Sequence, residues 1–150
     1  MIDSLDRDFW TVIGVAILCG SIVGFERQVR GKPAGVRTSI LVCLATAVFV
    51  HLGSSIAAPG ADPTRVLGQV ATGIGFLGAG VMFAHQGVVT GVTTAAVIWL
   101  MAAIGASIGL GRHIEAIALA IVTVIILVGV ELLESTFHWL TSGDHARKEE

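Results

Sequence analysis

Long apolar runs separated by short polar connections dominate this sequence. Five runs are long enough, or nearly so, to form membrane-spanning helices, which need about 20 residues to cross the hydrocarbon core. They cover Phe9–Phe25, Thr38–Ala57, Arg65–Phe83, Val92–Leu110 and Ile114–Leu133. The pattern predicts an all-α polytopic membrane protein with a five-span domain over residues 1–134. In the short polar tail, residues 135–150, we expect an interfacial turn followed by disorder.

Composition points to the same class. Charged residues make up 13% of the 150 residues, whereas soluble domains carry about 25%, so the surface of this chain needs lipid. The net charge of −2 and the single basic segment give no basic face for nucleic acid. The acidic N-terminus has the wrong charge for a cleavable signal peptide, so we expect the first run to be a retained span.

The distribution of basic residues predicts the orientation. Four of the nine Lys and Arg residues lie in Glu26–Arg37, hereafter the basic loop. Short loops rich in Lys and Arg stay in the cytoplasm. Together with the tail, six basic residues fall on that side and three on the other. We therefore expect an outside N-terminus and a cytoplasmic C-terminus.

Small residues recur at helical spacing in the first, third and fourth runs. In lipid, such faces allow helix backbones to approach closely. The glycines of these faces are Gly20, Gly24, Gly73, Gly75, Gly78, Gly80, Gly105 and Gly109. Because faces on three of five helices exceed what a small bundle needs, we expect a homodimer. The fifth run is bulky nearly all round, which predicts a lipid-facing, peripheral position.

One glycine pattern has a second interpretation that we reject. The segment Gly73–Gly78 matches the dinucleotide fingerprint G-x-G-x-x-G. That fingerprint needs a preceding strand and an acid about 20 residues later, and this segment lies inside an apolar run. Helix packing, or a bent helix that lines a cavity, fits better.

Four polar residues share one face of the third run: Asp62, Arg65, Gln69 and Thr72. Two interpretations remain open. In the first, Asp62 caps the helix and pairs with Arg65 near the headgroups, while Gln69 and Thr72 bond to a neighbouring helix. In the second, this face lines a polar path or a binding niche, because ionisable groups in a membrane usually face protein or water.

Glu26 is the acid beside the basic loop, and its role has two equal interpretations. It pairs with a nearby arginine (Arg27, Arg30 or Arg37), or it contacts a cation or a partner at the inner face. The acids of the membrane portion are expected on different helices and sides: Glu26, Asp62, Glu115 and Glu131. Since Mg²⁺ prefers several oxygen ligands, we predict no protein-built metal site.

Catalytic patterns are also missing from the sequence. No Ser or Cys has a base at a recognisable spacing, and neither H-E-x-x-H nor G-x-S-x-G occurs. We expect no enzyme, no catalytic residue and no cofactor. Cys19 and Cys43 lie within predicted spans, where they are expected to act as small apolar residues on neighbouring helices.

Three segments, in this order, resemble the signatures of the MgtC/SapB family of bacterial inner-membrane proteins. The first is Glu26–Arg27 with Gly31–Thr38, and the second is Asp62–Arg65 with Gly73–Gly80. The third is Gly91–Ala96 with Trp99. The candidate functional polar residues are thus Glu26, Arg27, Arg37, Asp62, Arg65, Gln69, Thr72, Thr93 and Thr94.

The resemblance implies a five-span helical domain in the inner membrane with a cytosolic C-terminus. Longer members append an ACT-like domain, and we expect this chain to consist of the membrane domain without it. The resemblance also implies a role in adaptation to low magnesium and stress, related in pathogens to virulence. Some members resemble modulators of membrane machines such as the ATP synthase. We expect a modulator acting through lipid and helix contacts; the alternative is an Mg²⁺ or solute transporter or channel that uses the polar face of the third run.

Overall fold

The computed structural model describes residues 2–56, 62, 64–85 and 88–145. Within them the chain forms α1 (Ile2–Val29), α2 (Val36–Ser55), α3 (Thr64–Gly80), β1 (Phe83–His85), β2 (Val88–Thr90), α4 (Val92–Gly109) and α5 (His113–His145). The two strands pair antiparallel, with Phe83 opposite Thr90. The helical class predicted from the sequence is confirmed, and each predicted run coincides with one helix.

α1 extends beyond the predicted run Phe9–Phe25 at both ends, and two other segments differ from the predictions in their type of structure. The third run was expected to be helical to Phe83, but α3 ends at Gly80 and the chain enters a short hairpin. β-branched residues favour extended backbone, and Val88–Thr90 supply them in β2. The turn and disorder expected over 135–150 are wrong as far as His145, because α5 continues to that residue. Residues 135–142 contain no proline or glycine that would end the helix, and α5 continues past Gly143 to His145. Residues 146–150 lie outside the described residues.

Four of the helices have the length and composition of membrane spans: Arg7–Val29, Val36–Ser55, Val92–Gly109 and His113–Leu133. The protein is therefore a helical membrane protein. The remaining helix, α3, has 17 residues and is about 26 Å long at 1.5 Å per residue, somewhat less than the hydrocarbon core of about 30 Å. The fifth span and the orientation of the termini stay predictions.

The core lies between α1, α2 and α4. Cys19 of α1 and Cys43 of α2 are fully buried in it beside Met101 and Ile104 of α4. Both cysteines are free thiols, and their burial agrees with the packing role expected of them. These three helices form the part of the molecule that fixes the position of the others.

Helix α5 packs against α1 and α4 along a narrow face of small residues. Ala116 and Ala120 are fully buried on that face. Elsewhere on the helix bulky side chains are exposed, with Ile114 82% and Ile125 62% accessible. The predicted peripheral position of the fifth run is therefore confirmed, and its contact with lipid stays a prediction.

Glycines bring α2 close to two other helices. Gly20 and Gly24 of α1 meet the first turns of α2, and Gly105 and Gly109 of α4 meet its middle turns. A Cβ atom added at any of the four would lie less than 3.0 Å from a backbone atom of α2, nearer than real Cβ contacts allow. The three helices therefore need these glycines in order to pack as they do.

The glycines of α3 have different surroundings. A Cβ added at Gly73, Gly75 or Gly80 would meet no neighbouring atom of the described chain within 4 Å. At Gly78 it would make ordinary contact, 3.7 Å from the Cβ of Ala95 on α4. The packing expected of the first three glycines is therefore not found among the described residues, where α3 contacts α4 through Ile74 and Gly78.

Candidate functional site

A cavity of about 930 Å³ lies at the end of the bundle where α1 ends and α4 begins. We refer to it as the basic-loop cavity. Its wall is built from the basic loop, the hairpin, the start of α4 and the last part of the α5 span. It gathers residues from all three signature-like segments, namely Glu26, Arg27, Lys32, Pro33, Gly80, Gly91, Thr93 and Thr94. Segments far apart in the sequence thus form a single site.

Arg27 connects the end of α1 with the start of α4. Its side chain is only 4% exposed, and Nη2 donates a hydrogen bond of 3.0 Å to Oγ1 of Thr94, which is also buried. A buried guanidinium is costly without partners, so this hydrogen bond offsets part of the cost of burying the charge of Arg27. Within the described chain Nε of Arg27 has no hydrogen-bond partner.

Arg30 connects α1 with α5. Its Nε lies 2.9 Å from Oε1 of Glu26, one helical turn earlier, and its Nη1 pairs with Oε2 of Glu131 on α5. Of the two interpretations of Glu26, pairing with a nearby arginine is thus seen, and Arg30 is the partner. The second oxygen of Glu26, Oε2, is buried with no partner among the described residues.

The expectation that the membrane acids lie apart is wrong for Glu26 and Glu131. Both line the basic-loop cavity, because α5 runs antiparallel to α4 and returns to the end of α1. The sequence indicated Glu131 only as an isolated acid, and Arg30 only as one of three possible partners of Glu26. The available signal was that Glu131 lies inside the apolar span that ends at Leu133, whereas Glu134 lies just beyond it, and an unpaired charge inside the span would be expensive.

The start of α4 adds backbone donors to the cavity wall. Gly91 precedes the helix with a φ of 85°, a conformation that L side chains rarely adopt. The first helical hydrogen bond runs from the amide of Ala95 to the carbonyl of Gly91. The amides of Val92, Thr93 and Thr94 therefore precede the helical ladder, and they carry the positive end of the helix dipole.

The two remaining cations of the basic loop face outward. Lys32 is exposed at the rim of the cavity, and Arg37 is exposed in the first turn of α2. Arg37 does not line the cavity. The basic loop therefore has two parts: Arg27 and Arg30 fold inward onto other helices, while Lys32 and Arg37 remain accessible.

The polar face of α3 lies elsewhere, on a separate groove between α2 and α3. This groove has a volume of about 800 Å³, and Asp62, Arg65 and Gln69 line it. Most of its other lining residues are apolar: Leu41, Val42, Phe49, Val66, Val70, Ile74 and Leu77. Thr72 does not line it and donates instead to the carbonyl of Gly68 in its own helix, 3.0 Å away.

Asp62 caps α3, as its position predicted. Its Oδ1 accepts hydrogen bonds from the amide of Thr64 at 2.8 Å and from its hydroxyl at 2.7 Å. These bonds, the hydroxyl bond first, hold the pKa of Asp62 below its ordinary value because they favour the charged carboxylate. The expected ion pair with Arg65 is not among the salt bridges of the described residues.

Metal-ligating side chains do not converge in the part of the chain that the structure describes. No group of three His, Cys, Asp or Glu residues there has a geometry that could hold a metal ion. The chemistry available in the basic-loop cavity is therefore hydrogen bonding and charge pairing, supplied by arginines, glutamates, threonines and free amides.

Comparisons with known proteins match most of the chain. The profile of the MgtC family matches residues 13–136. "Putative magnesium transporter YhiD" of Escherichia coli K12 is 40% identical over 137 residues, which cover 87% of this chain and 60% of that protein. Protein MgtC of Brucella abortus strain 2308 is 45% identical over 112 residues, covering 75% and 45% respectively.

A further relative gives the same picture. Protein MgtC of Salmonella typhimurium strain 14028s is 44% identical over 107 residues, covering 71% of this chain and 46% of that protein. The chain spans about half the length of the curated relatives it matches. No solved structure matches it.

Proposed function

The chain belongs to the MgtC family, and we propose that it is a modulator of another protein of the bacterial inner membrane, acting in adaptation to low magnesium. In this proposal the chain crosses the membrane five times, with α3 as the short span and the basic loop in the cytoplasm. The resemblance points to the ATP synthase as one such partner, and a second copy of the chain is another.

The open glycine face of α3 is the observation that carries the proposal. Gly20, Gly24, Gly105 and Gly109 all meet α2 closely, whereas Gly68 and Gly75, seven residues apart on one face of α3, meet nothing within 4 Å in the described chain. Helix association in lipid depends on close van der Waals packing of such faces. A face of this kind without an internal partner is suited to a helix of another protein.

An exposed apolar residue lies beside this face. Phe76, next to Gly75 in the sequence, is 81% accessible, so a docking helix would also meet a large apolar side chain. α3 also packs mainly on α4, which leaves more of its surface free than any helix of the core. Both features support a contact between α3 and a helix of another protein within the membrane.

The charges of the basic-loop cavity argue against a Mg²⁺ route through it. Its two carboxylates, Glu26 and Glu131, are both paired with Arg30, and Arg27 adds another cation. Mg²⁺ is held best by carboxylates and water with no competing cation nearby. The cavity is therefore better suited to joining helices, or to a ligand of mixed charge, than to passing a divalent cation.

Transport is the second candidate, and the groove between α2 and α3 favours it. The relative from E. coli is named as a putative magnesium transporter, and the groove has a polar end formed by Asp62, Arg65 and Gln69. The positive charge of Arg65 and the apolar remainder of the groove oppose a hydrated cation. We therefore place transport second.

Two measurements decide between the candidates. In a strain that lacks this protein, the wild-type gene should restore growth at low magnesium, and Gly75→Leu should fail because it blocks the open face of α3. Gly14→Leu is the matched control, since Gly14 also has open space around it but lies on α1. In liposomes the purified protein should carry no Mg²⁺ flux, detected with an enclosed indicator.

Transport would replace modulation if liposomes containing the protein took up Mg²⁺ and Asp62→Asn or Gln69→Ala abolished the uptake. Normal growth of the Gly75→Leu strain, with the variant present in the membrane at the wild-type amount, would also contradict the role of the α3 face. Equal loss of growth with Gly14→Leu would show that any bulky residue in a span is harmful.

A further inference from the structure

We propose that the basic-loop cavity binds the headgroup of a zwitterionic phospholipid whose nitrogen is a primary ammonium group. The proposal deepens the proposed function and rests on its membrane-embedded orientation, in which the cavity lies at the level of the inner headgroups. It combines a donor side for the phosphate, an acceptor side for the ammonium group and apolar walls for the acyl chains.

The donor side is formed by Arg27, Lys32 and the start of α4. Arg27 uses Nη2 on Thr94 and leaves Nε without a partner in the described chain. Lys32 is exposed at the rim, and the amides of α4 that precede its helical ladder lie in the same wall. Helix N-termini and guanidinium groups are the usual donors for phosphate oxygens.

The acceptor side is formed by Glu26 and Glu131. Arg30 occupies Oε1 of Glu26 and Oε2 of Glu131. Oε2 of Glu26 is buried without a partner among the described residues, although the side chain as a whole is 9% exposed and lines the cavity. A buried, unpaired carboxylate oxygen is costly, and an ammonium group with N–H donors would satisfy it. A trimethylated nitrogen has no such donor.

The separation of charges in the wall favours a zwitterion. Two cations, Arg27 and Lys32, and two acids, Glu26 and Glu131, line the same cavity, and Arg30 pairs with one oxygen of each acid. A purely anionic ligand would meet the acids, and a purely cationic ligand would meet the arginine. A headgroup that carries both charges can place each one against its opposite.

The remaining wall is apolar and open towards lipid. Phe83 and Val89 of the hairpin are 68% and 58% accessible, and Ile126 and Val130 of α5 are 55% and 48% accessible. All four residues line the cavity. Acyl chains can therefore leave the charged end along these side chains without exposing them to water, which favours a lipid over a free phosphate ester.

The test is lipid selectivity measured on the full chain in detergent micelles. The delipidated protein is incubated with equal concentrations of short-chain phosphatidylethanolamine, phosphatidylcholine or phosphatidylglycerol, and bound lipid is counted by native mass spectrometry. We expect phosphatidylethanolamine to bind about tenfold more tightly than phosphatidylcholine, because a hydrogen bond to a charged group contributes roughly that factor.

Variants connect the selectivity to the site. Glu26→Gln removes the charge that holds the ammonium group and should bring the two lipids to within about twofold. Glu131→Gln should reduce the preference in the same direction if Glu26→Gln fails to fold. Glu115→Gln is the matched control: it removes an exposed glutamate that pairs with Arg112 at the other end of α5, and it should leave the preference intact.

Three results would overturn the proposal: equal binding of phosphatidylethanolamine and phosphatidylcholine, tighter binding of phosphatidylglycerol, or a preference that survives both cavity variants. Free phosphoethanolamine that binds as tightly as the lipid would overturn the lipid assignment by identifying a soluble ligand. The measurement uses neither Mg²⁺ nor a partner protein. Its failure would therefore leave the modulator proposal standing, and loss of the modulator role would leave the lipid preference measurable.

Discussion

The contact between α1 and α2 at Gly20 gives the most direct test of the packing. A Cβ added at Gly20 would lie 2.6 Å from Cα of Ile40 and 2.9 Å from its amide nitrogen. Both are backbone atoms, so no change of side-chain rotamer on α2 can make room. We therefore expect Gly20→Ala to force the two helices apart and to destabilise the protein.

The size of the effect follows from the missing space. Ordinary contact begins at 3.4 Å, so the added carbon is about 0.8 Å too close. If the helices move apart by that distance, a gap opens between their other facing side chains, and a gap of this size forfeits a quarter to a half of the dispersion attraction between facing atoms. Overpacking of this kind costs about 1–3 kcal/mol. The higher helix propensity of alanine returns up to about 1 kcal/mol. With the full propensity gain, the expected net loss in the free energy of unfolding is up to about 2 kcal/mol, and the expected difference from a variant without the clash is about 1–3 kcal/mol.

Gly14→Ala is the matched control on the same helix. A Cβ at Gly14 would meet no neighbouring atom of the described chain within 4 Å. This variant gains the propensity of alanine without the clash, and its stability should equal or exceed that of the wild type by up to about 1 kcal/mol. The comparison separates the contact with α2 from any general effect of adding a methyl group to α1.

Reversible unfolding in mixed micelles, driven by an increasing fraction of a denaturing detergent, provides the assay. Far-ultraviolet circular dichroism and tryptophan fluorescence follow the transition. Gly20→Ala should unfold at a lower fraction of the denaturing detergent than Gly14→Ala. If the two variants unfold together, α1 and α2 are not held at the distance described, and the role assigned to the glycines of the core is wrong.

Three further predictions concern polar contacts. Thr94→Val leaves Arg27 without its partner and should lower the free energy of unfolding by about 1 kcal/mol, since hydrogen bonds in membranes average about 0.6 kcal/mol and reach about 1.7 kcal/mol. The same micelle assay measures this loss. Thr94→Ser keeps the hydroxyl, so a loss as large as that of Thr94→Val would count against the bond. Glu131→Gln removes half of a partly exposed pair and should cost less than about 1 kcal/mol in that assay, whereas Glu115→Gln should leave stability unchanged. Because the pKa of Asp62 is lowered, its cap on α3 is intact at any pH above 3.8, the ordinary pKa, and is lost as the pH falls through the lowered pKa. Hydrogen exchange of the amides at the start of α3 should rise in that low pH range. Asp62→Asn should remove this pH dependence.

Much of the fold could be predicted from hydrophobic runs. Apolar periodicity and length identify a spanning helix without knowledge of its neighbours, and each of the five runs became a helix. The end of α3 could not be placed in this way, because Phe83 is as apolar as the residues before it. Its strand conformation depends on pairing with Thr90 across the hairpin, which no local pattern shows.

The candidate site was predictable only in part. The polar residues near the basic loop were identified as candidates, but their partners come from other helices. Arg27 and Thr94 are 67 residues apart, and Arg30 meets Glu131 only because α5 returns to the end of α1. Such pairs depend on the order in which the helices pack, and the sequence offers no local signal for that order.

Glycine faces illustrate the same limit and connect the two proposals. The pattern of small residues is alike on α1, α3 and α4, yet only the faces on α1 and α4 meet α2. Gly80, the last residue of α3, lies in the wall of the basic-loop cavity. A headgroup that presses on the hairpin and the end of α3 would therefore act on the helix proposed to meet a partner. Modulation through α3 should then depend on which lipid occupies the cavity, and a Glu26→Gln strain should show weaker growth at low magnesium even though residue 26 is not on the partner face.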